Sequence, residues 1–178
     1  MDTGRRISPH PTKQEKWEGT EIRELFEKCL LGVLVCLPPP SAAGGAPVNA
    51  AASKAIPIGM IVLMLEDPKV VHHRRTMLGI NIITGYQRQG YGSEAIRWAL
   101  KWGFVYANLH RIELGAYEWN SRAIRLYERL GFVPEGRRRE HIWFRGRYWD
   151  LIEMGVLEHE WRARYGEEDQ PEVGVPNS

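Results

Sequence analysis

The feature that most constrains this chain is a glycine loop set between an apolar run and a long helical pattern. Ile80, Asn81, Ile82 and Ile83 form the run, Gln87, Arg88, Gln89, Gly90, Tyr91 and Gly92 the loop, and a helical stripe starts at Ser93. A strand–loop–helix junction points backbone N–H groups out of the helix start, where they can meet an anion such as a phosphate. Gly90 and Gly92 remove side chains that would block that approach, and glycine takes backbone angles other residues avoid. The loop alone is a weak signal. It gains weight from a second segment that starts at Asn120 and runs through Ala123, Tyr127 and Leu130 to Gly131 and Phe132. There Ala123, Tyr127 and Leu130 share a helix face. Gly131 and Phe132 fit a left-handed cap followed by an apolar contact back onto the last turns.

The flanking pattern is that of a mixed α/β domain. Residues 20–30 read as a helix capped by Thr20, with Ile22, Leu25, Phe26 and Cys29 on one face, and Gly32 is expected to break it. Val33, Leu34, Val35, Cys36 and Leu37 read as a strand stopped by Pro38, Pro39 and Pro40. Residues 56–65 and 75–83 give two more strands. Residues 93–109 give the long helix, with Ile96, Ala99, Leu100, Gly103, Phe104 and Ala107 at helical spacing. Residues 111–117 alternate as a strand does, with Ile112, Leu114 and Ala116 on one side. Residues 120–130 form a second helix, and 132–157 a hairpin turning near Arg145 and Gly146. The order α–β–β–β–α–β–α–β–β describes a mixed α/β sandwich rather than a doubly wound sheet. Residues 1–14 and 166–178 are polar and read as flexible. Residues 38–55, rich in Pro, Ala, Gly and Ser, read as a disordered insertion or a lid, within one domain over 15–165.

Composition adds exclusions. A chain of 178 residues with 43% apolar and 26% charged residues is one globular domain's worth. Its net charge of +2 makes no bulk argument for nucleic acid, which is not expected as a partner. Cys29 and Cys36 read as buried reduced thiols of an intracellular protein rather than a disulfide framework. The N-terminus shows no leader-like segment, and no run reaches the ~18–20 apolar residues of a membrane helix, so a cytosolic or nuclear location is expected. His72 and His73 would point to opposite sides of a strand and form no metal site. Trp98, Trp102, Trp119, Trp143, Trp149 and Trp161 read as core or interface. Arg137, Arg138 and Arg139 read as a solvated strand edge, the alternatives being a phosphate or an acidic partner.

Taken together, the glycine loop and the segment from Asn120 resemble the GNAT superfamily of N-acetyltransferases. That family carries an Arg/Gln-x-x-Gly-x-Gly/Ala loop and, later, Asn-x-x-Ala-x-x-x-Tyr-x-x-x-Gly-Phe; here these are Gln87 to Gly92 and Asn120 to Phe132. The closing run from Gly146, Arg147, Tyr148, Trp149 and Asp150 to Met154, Gly155, Leu157, Glu160 and Trp161 looks like the branch of spermidine and ribosomal-protein N-acetyltransferases. The resemblance implies a single mixed sheet flanked by helices, here with a shortened N-terminal region, since members place a strand and a helix before the helix at 20–30. It implies transfer from acetyl-CoA, the co-substrate, to a primary amine by direct attack in a ternary complex, with no metal and with much of the catalysis in positioning. The acceptor could be a small amine, a polyamine or a protein N-terminus. A homodimer, in which a partner replaces the missing elements, stays open.

Residue by residue, the resemblance places pantetheine along the backbone of Ile82 and Ile83, with an N–H near Ile82 facing the thioester oxygen. It assigns the pyrophosphate to the loop opened by Gln87, through the amides of Arg88, Gln89, Gly90, Tyr91, Gly92 and Ser93. Asn120 would touch the coenzyme as well as cap its helix. Tyr127 is the candidate general acid, since a phenol (pKa ~10) is matched to a thiolate (~8.5); the alternative is that it packs on the sheet. Glu113 is the candidate base, taken to lie opposite Ile82, or else a solvated or paired outer residue. Glu118 and His141 are weaker candidates, and water or the neutral amine could serve instead. Polyamines would call for an acidic pocket, and acidic residues cluster only at 15–27 and 158–169. The rival function is a non-catalytic acyl-CoA-binding module. A nucleotide-binding reading fails because no Gly-Lys-Ser/Thr follows the loop and no dinucleotide fingerprint fits.

Overall fold

The computed structural model describes residues 19–38 and 55–166. The expectations for residues 1–14, for the body of the 38–55 insertion and for the tail after residue 166 lie outside them. Six strands, β1 (Cys29–Leu37), β2 (Ile56–Met64), β3 (Arg75–Ile82), β4 (Arg111–Tyr117), β5 (Val133–Phe144) and β6 (Arg147–Leu157), form one sheet in the order β1-β2-β3-β4-β6-β5. All neighbours are antiparallel except β3 and β4, which run parallel. Four helices accompany it: α1 (Gly19–Glu27), α2 (Tyr91–Lys101), α3 (Ser121–Arg129) and α4 (Glu158–Tyr165). The expected order is observed, with α4 added at the end.

The alternation read in the sequence builds the core. Ile112 pairs with Val156 and Leu114 with Met154, so both strands turn these side chains to one face of the sheet. There they meet Ile61, Leu63 and Leu78 of the neighbouring strands and Ile96, Ala99, Leu100 and Phe104 from α2 and the turn after it. Leu130, Phe132 and Trp161 close the cluster, with the Phe104 and Trp161 rings 5.5 Å apart. Each such side chain contributes about 1.5–3 kcal/mol on burial.

Several boundaries move for identifiable reasons. The first helix stops at Glu27, and Cys29 opens β1 instead of lying on a helix face. Gly32 sits within β1, where the Phe26 ring lies against it; a Cβ there would be 2.5 Å from Phe26 Cδ1. The glycine makes room for a ring rather than breaking a helix. Both cysteines are free, but Cys29 is only half-buried, with its thiol pushed up by burial, and Cys36 is exposed. The helix at 93–109 ends as α2 at Lys101 and continues through one π turn, Trp102–Tyr106, in which Ala107 N–H donates to the Trp102 carbonyl at 3.0 Å. His72 and His73 lie in a single 3-10 turn with ring centroids 4.1 Å apart, not in a strand. Helix α4 shows no apolar stripe: it buries Trp161 alone and starts where Leu157 N–H donates to Glu160 Oε2 at 2.9 Å. Of the tryptophans read as core or interface, Trp98 and Trp143 are 47% and 54% exposed and so stand outside the core, while Trp161 is buried in it.

The arginine-rich strand is less free than its sequence suggests. Arg137 pairs with Glu118 (2.6 Å) and with Asp150, and Arg138 pairs with Glu153 (2.5 Å). Between Arg138 and Ile142 the register shifts, so that residues 139–141 bulge around Asp150, whose carboxylate accepts the Glu140 N–H at 2.8 Å. Further along, Arg111 at the start of β4 forks onto both oxygens of Glu135 in β5 and also donates to Glu113 Oε2 at 2.9 Å. The fork crosses β6 above Gly155, where a Cβ would lie 2.7 Å from Arg111 Nη2. The Arg111 guanidinium holds the Glu135 carboxyl below the usual range.

Two predictions follow from these contacts. Gly32→Ala should destabilise by about 1–3 kcal/mol through overpacking, and the loss should shrink by more than half in a Phe26→Ala background, read from urea unfolding midpoints. An equal loss in both backgrounds would mean that the ring is not what the glycine accommodates. The depressed Glu135 pKa contributes stability above the ordinary glutamate value of ~4.3, which is lost as the pH falls through the folded-state value. Glu135→Gln should therefore flatten the decline in melting temperature between roughly pH 5 and 3.

Candidate active site

The parallel pairing of β3 and β4 is brief. It joins Arg75, Thr76 and Met77 to Arg111, Ile112 and Glu113 and goes no further. Beyond it, residues 78–82 stay paired to β2 and residues 114–117 to β6, so the facing edges of β3 and β4 are open. Ile83 N–H donates to the Ile58 carbonyl at 2.8 Å across β2. By the alternation of an antiparallel ladder, the N–H and C=O of Ile82 point the other way, into the gap.

The glycine loop follows directly. A 3-10 turn, Thr84–Tyr86, leads into Gln87, after which Arg88 (φ 68°) and Gly90 (φ 95°) both take left-handed backbone. Three side chains of the loop donate to its own carbonyls or to that of β3. Gln87 Nε2 reaches the Ile82 oxygen (2.8 Å), Gln89 Nε2 the Gly85 oxygen (3.2 Å) and Ser93 Oγ the Gly90 oxygen (2.8 Å). The N–H groups stay available. Among the described residues, those of Arg88, Gln89, Gly90, Tyr91, Gly92 and Ser93 donate to nothing, and the first bond of α2 runs from Glu94 N–H to the Gly90 carbonyl (3.1 Å). With the positive end of the helix dipole, they make a cradle for a diphosphate. The two glycines differ in purpose. Gly90 is required by its positive φ, whereas Gly92 has ordinary helical geometry and room for a methyl.

A methyl at Gly92 would touch Ile82 Cγ1 at 3.9 Å and Leu126 Cδ2 at 4.0 Å, so the end of β3, the start of α2 and α3 converge. Helix α3 is fixed at both ends. Asn120 Oδ1 accepts the Ala123 N–H (3.2 Å) as an N-cap. At the other end Gly131 (φ 99°) sends its N–H to the Glu128 carbonyl and Phe132 N–H goes to that of Tyr127 (3.0 Å), a Schellman pair. Tyr127 thus sits in the capped last turn, its ring edge-on to Phe132 at 5.9 Å. Burial pushes its phenol pKa up, and its hydroxyl makes no hydrogen bond among the described residues.

The other candidates do not gather here. Glu113 stands opposite Met77 in the register, not opposite Ile82, and its carboxylate is engaged by Arg111. Glu118 is ion-paired to Arg137, and His141 lies exposed in the β5 bulge. What sequence reasoning missed is the work of the loop's side chains. The signal was present in Gln87, Gln89 and Ser93, three polar donors around a glycine turn. Among the described residues there is no group of three or more His, Cys, Asp or Glu that could hold a metal, and no helix is long and apolar enough to cross a membrane.

Known proteins resemble this chain in sequence and in fold. The chain is 32% identical over 103 residues to spermidine N(1)-acetyltransferase of Escherichia coli K12, covering 57% of this chain and 55% of that protein. It is 36% identical over 92 residues to the Vibrio cholerae enzyme of the same name, covering 52% and 53%. The matched part therefore spans about half the length of these relatives. A structure of the Vibrio cholerae spermidine N-acetyltransferase in complex with CoA and spermine superposes with a TM-score of 0.55 at 32% identity, covering 61% of this chain and 62% of that one. A dodecameric form of that enzyme gives a TM-score of 0.56 at 33% identity, covering 61% of each chain. The fold is that of these enzymes. Residues 11–132, which include the loop, Asn120 and Tyr127, match the acetyltransferase (GNAT) family, to which this chain belongs.

Proposed function

We propose that residues 15–165 form an N-acetyltransferase that moves an acetyl group from acetyl-CoA to a primary amine by direct attack in a ternary complex. The observation that carries this reading is the gap between the open edges of β3 and β4, which ends beside six unengaged N–H groups. A diphosphate on those groups lays an extended pantetheine arm along Ile82, in the place of the strand the gap leaves out; Ile83, expected to share that role, spends its N–H on Ile58 and its carbonyl on Tyr86. The acceptor nitrogen attacks the thioester carbonyl carbon, and the Ile82 N–H steadies the oxygen as charge gathers on it. When the C–S bond breaks, the Tyr127 hydroxyl gives its proton to the departing thiolate, leaving an N-acetylated amine and free coenzyme A. Glu113 takes no part in this scheme, because its carboxylate is engaged by Arg111. The proton shed by the amine passes to water, and the tyrosinate takes a proton back from water, which restores the enzyme. The names of the relatives put a polyamine first among acceptors. Among the described residues, Glu113, Glu118, Asp150 and Glu153 on the sheet are each engaged by an arginine, so any acidic subsite has to come from elsewhere.

Acetyl-CoA at a hundredfold excess over its Kd should raise the melting temperature by roughly 5–10 °C, and ATP and NAD should not. Gly90→Val should erase that shift, because a side chain at this left-handed position is strained and stands in the cradle. A normal shift would contradict the loop's role. Free thiol release with a panel of amines, spermidine among them, separates an enzyme from a coenzyme-binding module: release with none would favour the module. Tyr127→Phe should cut turnover by about 10²-fold or more with coenzyme affinity kept. Since burial raises the phenol pKa, the rate should show no loss from its ionisation until above pH ~10. Unchanged turnover in the phenylalanine variant would remove Tyr127 from the acid role.

A further inference from the structure

We propose that Gln87 is a positioning residue whose side-chain amide clasps the glycine loop to the end of β3 and holds Arg88 in its left-handed conformation, so that the diphosphate cradle is formed before the coenzyme arrives. The proposal deepens the reading of the site as a coenzyme A groove and rests on it for the ligand. A non-glycine residue at φ 68° is strained and persists only where its surroundings over-determine it. Arg88 is bracketed by two such restraints. On one side Gln87 Nε2 donates to the Ile82 carbonyl at 2.8 Å, and on the other Gln89 Nε2 donates to the Gly85 carbonyl at 3.2 Å. The first spans the 3-10 turn Thr84–Tyr86 and the second ends on Gly85 within it, so the chain is pinned before and after the residue that reverses it. The Ile82 carbonyl is also the group that the ladder aims into the gap between β3 and β4. The clasp thus sets the distance between the cradle and the edge along which the pantetheine arm runs. It also turns carbonyl oxygens, which would repel a diphosphate, toward donors of the protein, leaving the N–H groups facing out. A loop ordered in advance spares the ligand the ordering cost on binding.

The test compares wild type, Gln87→Met, Arg88→Gly and the double variant. Methionine keeps the length and flexibility of glutamine and removes the donor, and glycine holds a positive φ without strain. In the ligand-free protein, the 15N order parameters of residues 88–90 should fall from the rigid range of about 0.85 to below about 0.6 in Gln87→Met. Coenzyme A, measured by calorimetry, should bind roughly five- to tenfold more weakly to that variant, the loss of one hydrogen bond. Its KM for acetyl-CoA should rise by a similar factor. With glycine at position 88 the affinity loss caused by Gln87→Met should shrink to less than about twofold. Unaltered order parameters, or an affinity loss of the same size with glycine at 88, would each overturn the proposal. Should the wild-type protein bind no coenzyme A, the reading of the groove fails while the relaxation measurement still decides for or against the clasp.

Discussion

The arrangement depends on a ladder that stops early. Backbone N–H and C=O groups need partners, and a sheet normally supplies them on both sides of an inner strand. Between β3 and β4 it does so for three residues and then the ladder stops, with the Ile82 carbonyl taken by Gln87 instead. The gap is therefore a shaped absence of hydrogen bonds, and what fits it best is an extended chain with amides of its own. The proposed coenzyme groove rests on that requirement more than on any single side chain.

The two sides of the gap belong to different parts of the molecule. Helix α2 packs on β2 and β3, whereas α3 packs on β4 and β5 and α4 on β6. The glycine loop and the Ile82 edge come from the first group, and Tyr127 comes from the second. Packing at Gly92, Ile82 and Leu126 and the common core beneath bring the two groups together. Each group is then held locally. The Schellman pair and the Phe132 ring hold Tyr127, and side-chain donors hold the loop. A site assembled from two sources in this way has rigid parts and a defined spacing, which is what catalysis by positioning asks for.

Much of this could be read in advance because it is written in short-range patterns. Alternation in Arg111–Tyr117, the Asn120 cap and the Gly131–Phe132 stop are decided within a few residues of themselves, and they appear where the sequence places them. What escaped was decided at longer range. Gly32 reads as a helix breaker until the Phe26 ring is seen lying on it. Helix α4 has one apolar anchor, so periodicity gives it no voice. The alignment of Glu113 with Met77 instead of Ile82 is a matter of register between parallel strands, which no local pattern records. In the site, the main-chain donors followed from the glycines, but the partners of Gln87 and Gln89 followed from a turn whose geometry the sequence does not spell out.

The short seam has a mechanical side. With only three rungs joining them, β1–β3 and β4–β6 are two three-stranded ribbons sharing one apolar underside. The backbone ladder has fewer bonds along that junction than within either ribbon, and the shared core and the Arg74 contacts to Asn108 and His110 carry the rest of the connection. An extended guest lodged there acts as a zip: it would knit the ribbons into a single cooperative unit and make the occupied protein stiffer than the empty one.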